Sequence, residues 1–288
     1  MLRRFRLEEP QSVGEVAELL SRFGESAKLY AGGTELLLAM KEGFVQYERL
    51  INVKGIRGLN EIRHENGFIR IGALCTHRQL EKAPLIEQQL PSLVKLEENV
   101  ANVRVRQVGT IGGNLCFAEP HADPGTFLMA LDATLVAEKA TSKREILAES
   151  FFVDAYETCL EPDEVLTEIL IPVPPKGSRI AYMKFGYLER PSVGVAVAFN
   201  LNGGGSSVQN VKIAVGCAGP TPKRVPEAEA ELTGKDTEEA VRSLSGAVGE
   251  VAAKAAQAMS DLHGSQEYKE HIVQVLLKRA FESALSQN

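Results

Sequence analysis

Two segments of adjacent glycines constrain this chain more than any other feature: Ala31-Gly32-Gly33-Thr34 and Thr110-Ile111-Gly112-Gly113-Asn114. Paired glycines open backbone angles closed to other residues and strip side chains from the surface. Consecutive N–H groups can then converge on one anion. Thr34 adds a hydroxyl, and a helix beginning near Glu35 would turn its positive end the same way. Asn114 tolerates left-handed angles and both donates and accepts hydrogen bonds. Two such bends could grip a diphosphate from opposite sides without an arginine clamp. Each also reads as a plain β-to-α turn with nothing bound, and neither fits GxGxxG or has the lysine of a P-loop.

The surroundings of the bends are mixed α and β. Ser12 and Glu15 have capping-box spacing ahead of Val16, Ala17, Leu19, Leu20 and Phe23, with Gly24 as a stop, which predicts a helix over 12–23. A strand over Lys28–Tyr30 leads into the first bend, and a helix over Glu35–Lys41 leads out of it to Gly43. Asn66-Gly67 between alternating segments signals a hairpin. Thr76 can cap a helix from His77, Pro84 and Pro91 mark short helices, and an apolar helix follows over Thr126–Leu131. Thr134–Glu138 and Arg144–Leu147 read as paired strands.

Three prolines within four residues, Pro172, Pro174 and Pro175, fit a stiff connector. Beyond it Ala181–Phe185, Val193–Leu201 and Val208–Val215 alternate like antiparallel strands. A long Ala-rich helix is expected over Thr237–Met259 and another over Glu267–Leu285. The fold class is therefore α+β. A region over 1–175, with sub-parts of about 1–55 and 56–175, precedes a smaller α+β domain over 176–288 whose sheet is covered by helices on one side.

Several function classes are disfavoured. A formal charge of −6 and a pI near 5.6 argue against nucleic-acid binding. Cys75, Cys116, Cys159 and Cys217 are dispersed, with no CxxC pair for zinc or an iron–sulfur cluster. The five histidines show no ligand spacing, and nearness in sequence does not make His121 and Asp123 a catalytic dyad. No membrane span and no signal peptide are expected, which points to the cytoplasm.

Two further residues leave alternatives open. Asp123, an acceptor at neutral pH, suits a ribityl hydroxyl or a ring N–H, and it equally suits a cap for the helix after it. Lys184 on a strand-like stretch could favour an electron-rich ring edge, or it could simply face solvent.

Leu29-Tyr30-Ala31-Gly32-Gly33-Thr34-Glu35-Leu36, followed by Gly109-Thr110-Ile111-Gly112-Gly113-Asn114-Leu115, closely resembles the FAD-binding medium subunit of molybdenum hydroxylases, the xanthine dehydrogenase and aerobic carbon monoxide dehydrogenase group. Ile71-Gly72-Ala73, Ala122-Asp123, Leu131-Asp132-Ala133, Phe185 and Tyr268…Arg279-Ala280 extend the resemblance over essentially the whole chain.

The resemblance implies a two-part FAD-binding module of vanillyl-alcohol-oxidase type, with a C-terminal α+β domain completing the site. Residues 31–36 and 110–114 would then enclose the FAD diphosphate. Ala118, Ala122 and Asp123 would lie along the ribityl chain and flavin, Ile169 or Leu170 would cover part of the ring, and Lys184 would approach it. Electrons would come from a small subunit with two [2Fe–2S] clusters and pass to NAD or another acceptor. Substrate chemistry would lie on a molybdopterin-containing large subunit, and no catalytic residue or metal ligand is expected here. One departure stands out: after Arg190 the chain reads Pro191-Ser192-Val193, where many relatives have an acidic pair. Tyr187 is a weaker candidate for a ring face. The alternatives are a stand-alone FAD oxidase or dehydrogenase and a non-enzymatic interaction subunit.

Overall fold

The computed structural model describes residues 2–186 and 190–287. Tyr187 lies outside the described residues. The first helix spans Val13–Phe23, and Ser12 Oγ accepts from Glu15 N at 3.2 Å. Glu15 Oε2 reaches back one residue further than a capping box requires, to Gln11 N at 2.8 Å.

Three parallel strands stand in the order Arg6–Glu8, Arg49–Asn52, Ala27–Tyr30. Parallel neighbours need crossovers, and the helices Val13–Phe23 and Leu36–Glu42 supply them. Val16, Leu20, Ile51, Val53 and Ile56 form the small core of this sub-part. The first glycine bend leaves the sheet here, at the carboxyl end of Ala27–Tyr30.

The second sub-part is an antiparallel sheet in the order Ile62–Glu65, Phe68–Gly72, Val165–Pro172, Thr134–Glu138, Lys143–Leu147. Its hairpin turns on Asn66 (φ 53°) and Gly67 (φ 80°), the paired left-handed angles of a two-residue loop. The central strand, Val165–Pro172, is absent from the sequence-based element pattern. Its run of seven buried residues has no alternation, because both sheet neighbours and both faces are covered. Helices at His77–Glu81, Pro84–Gln89, Pro91–Glu97, Val103–Val108, Ile111–Phe117 and Asp123–Ala130 pack around it. The helix 103–108 is likewise absent from the sequence pattern, and 111–117 shows that the second bend is a helix start.

The C-terminal sheet runs Arg179–Phe185, Val193–Leu201, Val208–Gly216, Lys223–Arg224, all antiparallel. The strand 193–201 alternates strictly. Val193, Val195, Val197 and Phe199 join a core with the helices Ala247–Ala255 and Gln266–Leu285, where Phe199 stacks on Phe281 at 4.4 Å. Gly194, Ala196 and Ala198 face the other way, and both alanines belong to the N-terminal core. Against this small-residue face lies Asp123–Ala130, a helix whose every residue is buried. The sheet is therefore covered on both sides, which corrects the expected one-sided cover.

The single helix expected over Thr237–Met259 is two, Thr237–Ser243 and Ala247–Ala255. Gly246 between them adopts φ −136°, ψ −126°, outside helical space. Among the described residues no helix is long and apolar enough to cross a membrane.

Candidate functional site

The first bend is set by contacts rather than by local preference alone. A side chain at Gly32 would begin 2.7 Å from Gly109 Cα and closer still to Val108 O. Gly33 has φ 73°, and its Cα face meets the Tyr30 ring and Leu37 Cδ1. The first bend thus lies directly on the foot of the second. Thr34 Oγ1 and the His77 ring both come within 3.5 Å of the point where a Gly109 side chain would start. Leu29 packs on the small N-terminal core, while Glu35 precedes Leu36, the first residue of its helix. Among the described residues, no protein acceptor meets the amides of Gly32, Gly33, Thr34 and Glu35. Four free donors in a row are what a phosphate requires.

The second bend differs from its sequence reading. The amides after Thr110 are committed to the protein: Ile111 N donates to Cys75 O, Gly112 N to Ala73 O and Asn114 N to Thr110 O, each at 2.9 Å. Gly113 N donates to Thr110 Oγ1 at 3.1 Å, the N-cap bond of the helix 111–117. Among the described residues the free main-chain donors lie mainly in the first bend, and in the second only Thr110 N meets no protein acceptor. Gly112 is needed for close approach, since its side chain would start 2.6 Å from Ala73 Cβ. What the second bend offers a ligand is the Asn114 side chain, whose Oδ1 is buried without a hydrogen-bond partner. A buried carbonyl left alone costs roughly 1–3 kcal/mol. A ligand hydroxyl would remove that cost.

Ala118 ends the helix in a left-handed conformation (φ 48°), and Tyr156 N donates to its carbonyl at 2.8 Å. Asp123 is not the helix cap, a place taken by Ala122. Its two oxygens are engaged by the other half of the chain. Tyr182 OH donates to Oδ1 at 2.6 Å and Lys184 Nζ to Oδ2 at 2.8 Å. Lys184 also donates to Asn99 O at 2.7 Å and is buried, so the solvent-facing alternative is excluded. Burial pushes the Asp123 carboxyl above its ordinary range against the lowering pull of Lys184. Burial and the neighbouring carboxylate raise the Tyr182 phenol, and burial raises the Cys217 thiol. Both stay protonated.

Ile169 is not brought to the cradle surface. It is fully buried in mid-sheet, paired with Ile71 and Leu135, and Leu170 beside it is also buried. A ring-covering role for Ile169 is not visible in this packing.

Sequence distance hid three groups. His121 lies between Glu119 Oε1 and Asp261 Oδ2, each at 3.1 Å, with the His263 ring 4.6 Å away and buried Lys269 holding Asp261 at 2.6 Å. Its partners are thus Glu119 and Asp261, and not Asp123. Arg190 ties the first bend to this loop, bonding Glu35 Oε2 at 3.1 Å and lying 3.8 Å from Glu119 Oε2. His77 Nδ1 and Glu97 Oε2 share a hydrogen bond of 2.7 Å, with both side chains buried. Capping by Thr76 was legible, but no local pattern links His77 to Glu97.

Residues 3–174 match the profile of the FAD binding domain in molybdopterin dehydrogenase, and 191–284 that of the CO dehydrogenase flavoprotein C-terminal domain. The carbon monoxide dehydrogenase medium chain of Hydrogenophaga pseudoflava is 34% identical over 282 residues, spanning 98% of this chain and 97% of that one. The nicotine 6-hydroxylase medium subunit of Paenarthrobacter nicotinovorans is 31% identical, over 97% and 96%. A solved carbon monoxide dehydrogenase from H. pseudoflava superposes with a TM-score of 0.94 at 34% identity, covering 99% of this chain and 98% of that chain. Quinoline 2-oxidoreductase from Pseudomonas putida 86 gives 0.90 at 26% identity, over 99% and 98%.

Proposed function

Because this chain belongs to the family of FAD-binding subunits of molybdenum hydroxylases, we propose that it holds FAD between its two glycine bends and relays electrons within an oxidoreductase complex. The electrons would come from a two-[2Fe–2S] small subunit and leave to NAD or another acceptor, with substrate chemistry on a molybdopterin-containing large subunit. The observation that supports the reading best is the close approach of Gly32 to Val108 and Gly109, which sets a row of free amides against the foot of the second bend.

Bound FAD supplies redox chemistry that no protein side chain offers. The chain's own residues bind and orient. The amides from Gly32 to Glu35, with the Thr34 hydroxyl, would take the diphosphate, and Leu29, Tyr30, Ala31 and Leu36 shape that bend. Thr110, Ile111, Gly112 and Gly113 fix the facing wall, from which Asn114 reaches the cofactor. Ala118 and Ala122 would line the ribityl path. Asp123 and Lys184 act by pinning the C-terminal sheet to that path. The FAD-binding region would end near residue 175, with 176–288 completing the site.

Purification of the full chain tests this. We expect stoichiometric FAD by absorbance and by chromatography of cofactor released on denaturation, and reduction of that FAD by a reduced two-[2Fe–2S] protein. A colourless chain would refute the reading, and turnover of a small substrate by the isolated chain would make it a self-sufficient oxidase. Asn114→Leu should remove the acceptor to which a ligand hydroxyl is expected to donate. FAD retention should fall by about tenfold or more, equivalent to about 1.4 kcal/mol, as read from a fluorescence titration of the apo chain.

A further inference from the structure

Glu35 sets a charge problem for the cradle. Its amide is the last of the four free donors in the first bend, and the same residue carries a half-buried carboxylate. A diphosphate held by those amides would bring its own negative charge beside that carboxylate. Like charges so close repel, and the repulsion grows as a ligand displaces the water between them. Main-chain donors carry only partial charges, so they hold a phosphate without cancelling a neighbouring carboxylate.

The offset comes from the other half of the chain. Arg190 Nη2 donates to Glu35 Oε2 at 3.1 Å, and among the described residues no other cation bonds a side chain of 31–36. The residues after Arg190 fix its place. Pro191 and Ser192 are buried, and Ser192 donates from its amide to Phe185 O at 2.8 Å and from Oγ to His263 O at 2.9 Å. Glu119 Oε2 lies 3.8 Å from Arg190 Nε, a Coulombic distance and not a hydrogen bond. Glu119 also accepts from the His121 amide at 3.1 Å and from Tyr156 OH at 3.5 Å. Its charge is thus shared among several donors, while Glu35 has Arg190 alone among the described residues.

Resting on the FAD reading above, we propose that Arg190 is a positioning residue for the diphosphate. It offsets the Glu35 carboxylate, so that a bend of neutral donors accepts a dianion beside an acidic side chain. The C-terminal half then bears on the phosphate end of the cofactor as well as on the path near Asp123. An exposed ion pair contributes little to the free chain. A ligand that covers it removes water and screening salt, and the same pair then counts for more in the complex. Arg190 acts through Glu35 and does not itself touch the phosphates.

The test is a double-mutant cycle, read by fluorescence titration of the apo full chain with FAD. Arg190→Gln should weaken FAD roughly tenfold, and Arg190→Lys, which keeps the charge, by less than about threefold. Adding Glu35→Gln to Arg190→Gln should recover most of the loss, because a neutral amide needs no offset. A salt bridge that merely staples the two halves predicts otherwise, since removing its second partner restores nothing. Equal FAD affinity in the wild type and Arg190→Gln would overturn the proposal and leave the FAD reading intact. So would a loss that Glu35→Gln does not relieve, or one that Arg190→Lys shares in full. A wild-type chain with no affinity for FAD would overturn both.

Discussion

Replacing Gly32 by Val is expected to strip the chain of its FAD. The new Cβ would start 2.7 Å from Gly109 Cα and closer to Val108 O, and both are backbone atoms that no rotamer change can move aside. The two bends must separate. Overpacking at such a site costs about 1–3 kcal/mol, or roughly a 5- to 150-fold loss of affinity when it falls on the bound state. The ratio of flavin to protein absorbance after gel filtration measures it directly. Gly55→Ala is a suitable control, since nothing lies within 4 Å of its Cβ position. Gly113→Val should do less, because a side chain there is exposed and starts against only Thr110 Oγ1, at 2.8 Å. Full retention of FAD by Gly32→Val would mean that the cofactor does not depend on the contact between the bends.

Lys184→Met should produce the largest loss of stability. The change keeps the apolar stem and removes the one cation bonded to Asp123 among the described residues, leaving a buried carboxylate. Breaking one side of a buried pair costs about 3–5 kcal/mol. The pH dependence follows from the raised position of the Asp123 carboxyl, which burial already imposes and which loss of Lys184 would increase. The folded chain then binds this proton more tightly than the unfolded chain, where an aspartate titrates near about 3.9. The contribution is therefore fully present below the unfolded value and is lost as pH rises through the folded one. The deficit of Lys184→Met relative to wild type should shrink in acid and be complete at neutral pH, as read from denaturant midpoints. Adding Asp123→Asn should recover part of it, because a neutral amide needs no counter-charge. A deficit unchanged across pH would show that Lys184 acts through packing alone.

What the sequence revealed was local. Ser12, Asn66-Gly67, Thr76 and the strict alternation of 193–201 each encode their structure within a few residues, and the structure has the cap, the hairpin, the second cap and the strand. The first bend was legible for the same reason, since strand, glycines and helix adjoin. The acceptors that occupy the Ile111 and Gly112 amides of the second bend, Cys75 O and Ala73 O, were not legible, because they come from a distant segment. Asp123 and Lys184 are 61 positions apart and His121 and Asp261 are 140 apart, so their pairing is a property of the fold and not of any spacing. Val165–Pro172 escaped because a strand covered on both faces loses its period of two.

The alternation in Val193–Leu201 bears on how such a chain can be cut or recombined. Its glycine and alanine side admits the helix Asp123–Ala130 so closely that a side chain at Gly216, on the next strand, would collide with Thr126. The helix that carries Asp123 thus belongs to two layers at once. A hybrid joining the front half of this chain to the rear half of a relative will assemble only where the donor sheet presents equally slight residues at those places. Divergence in the two halves is coupled through that one seam.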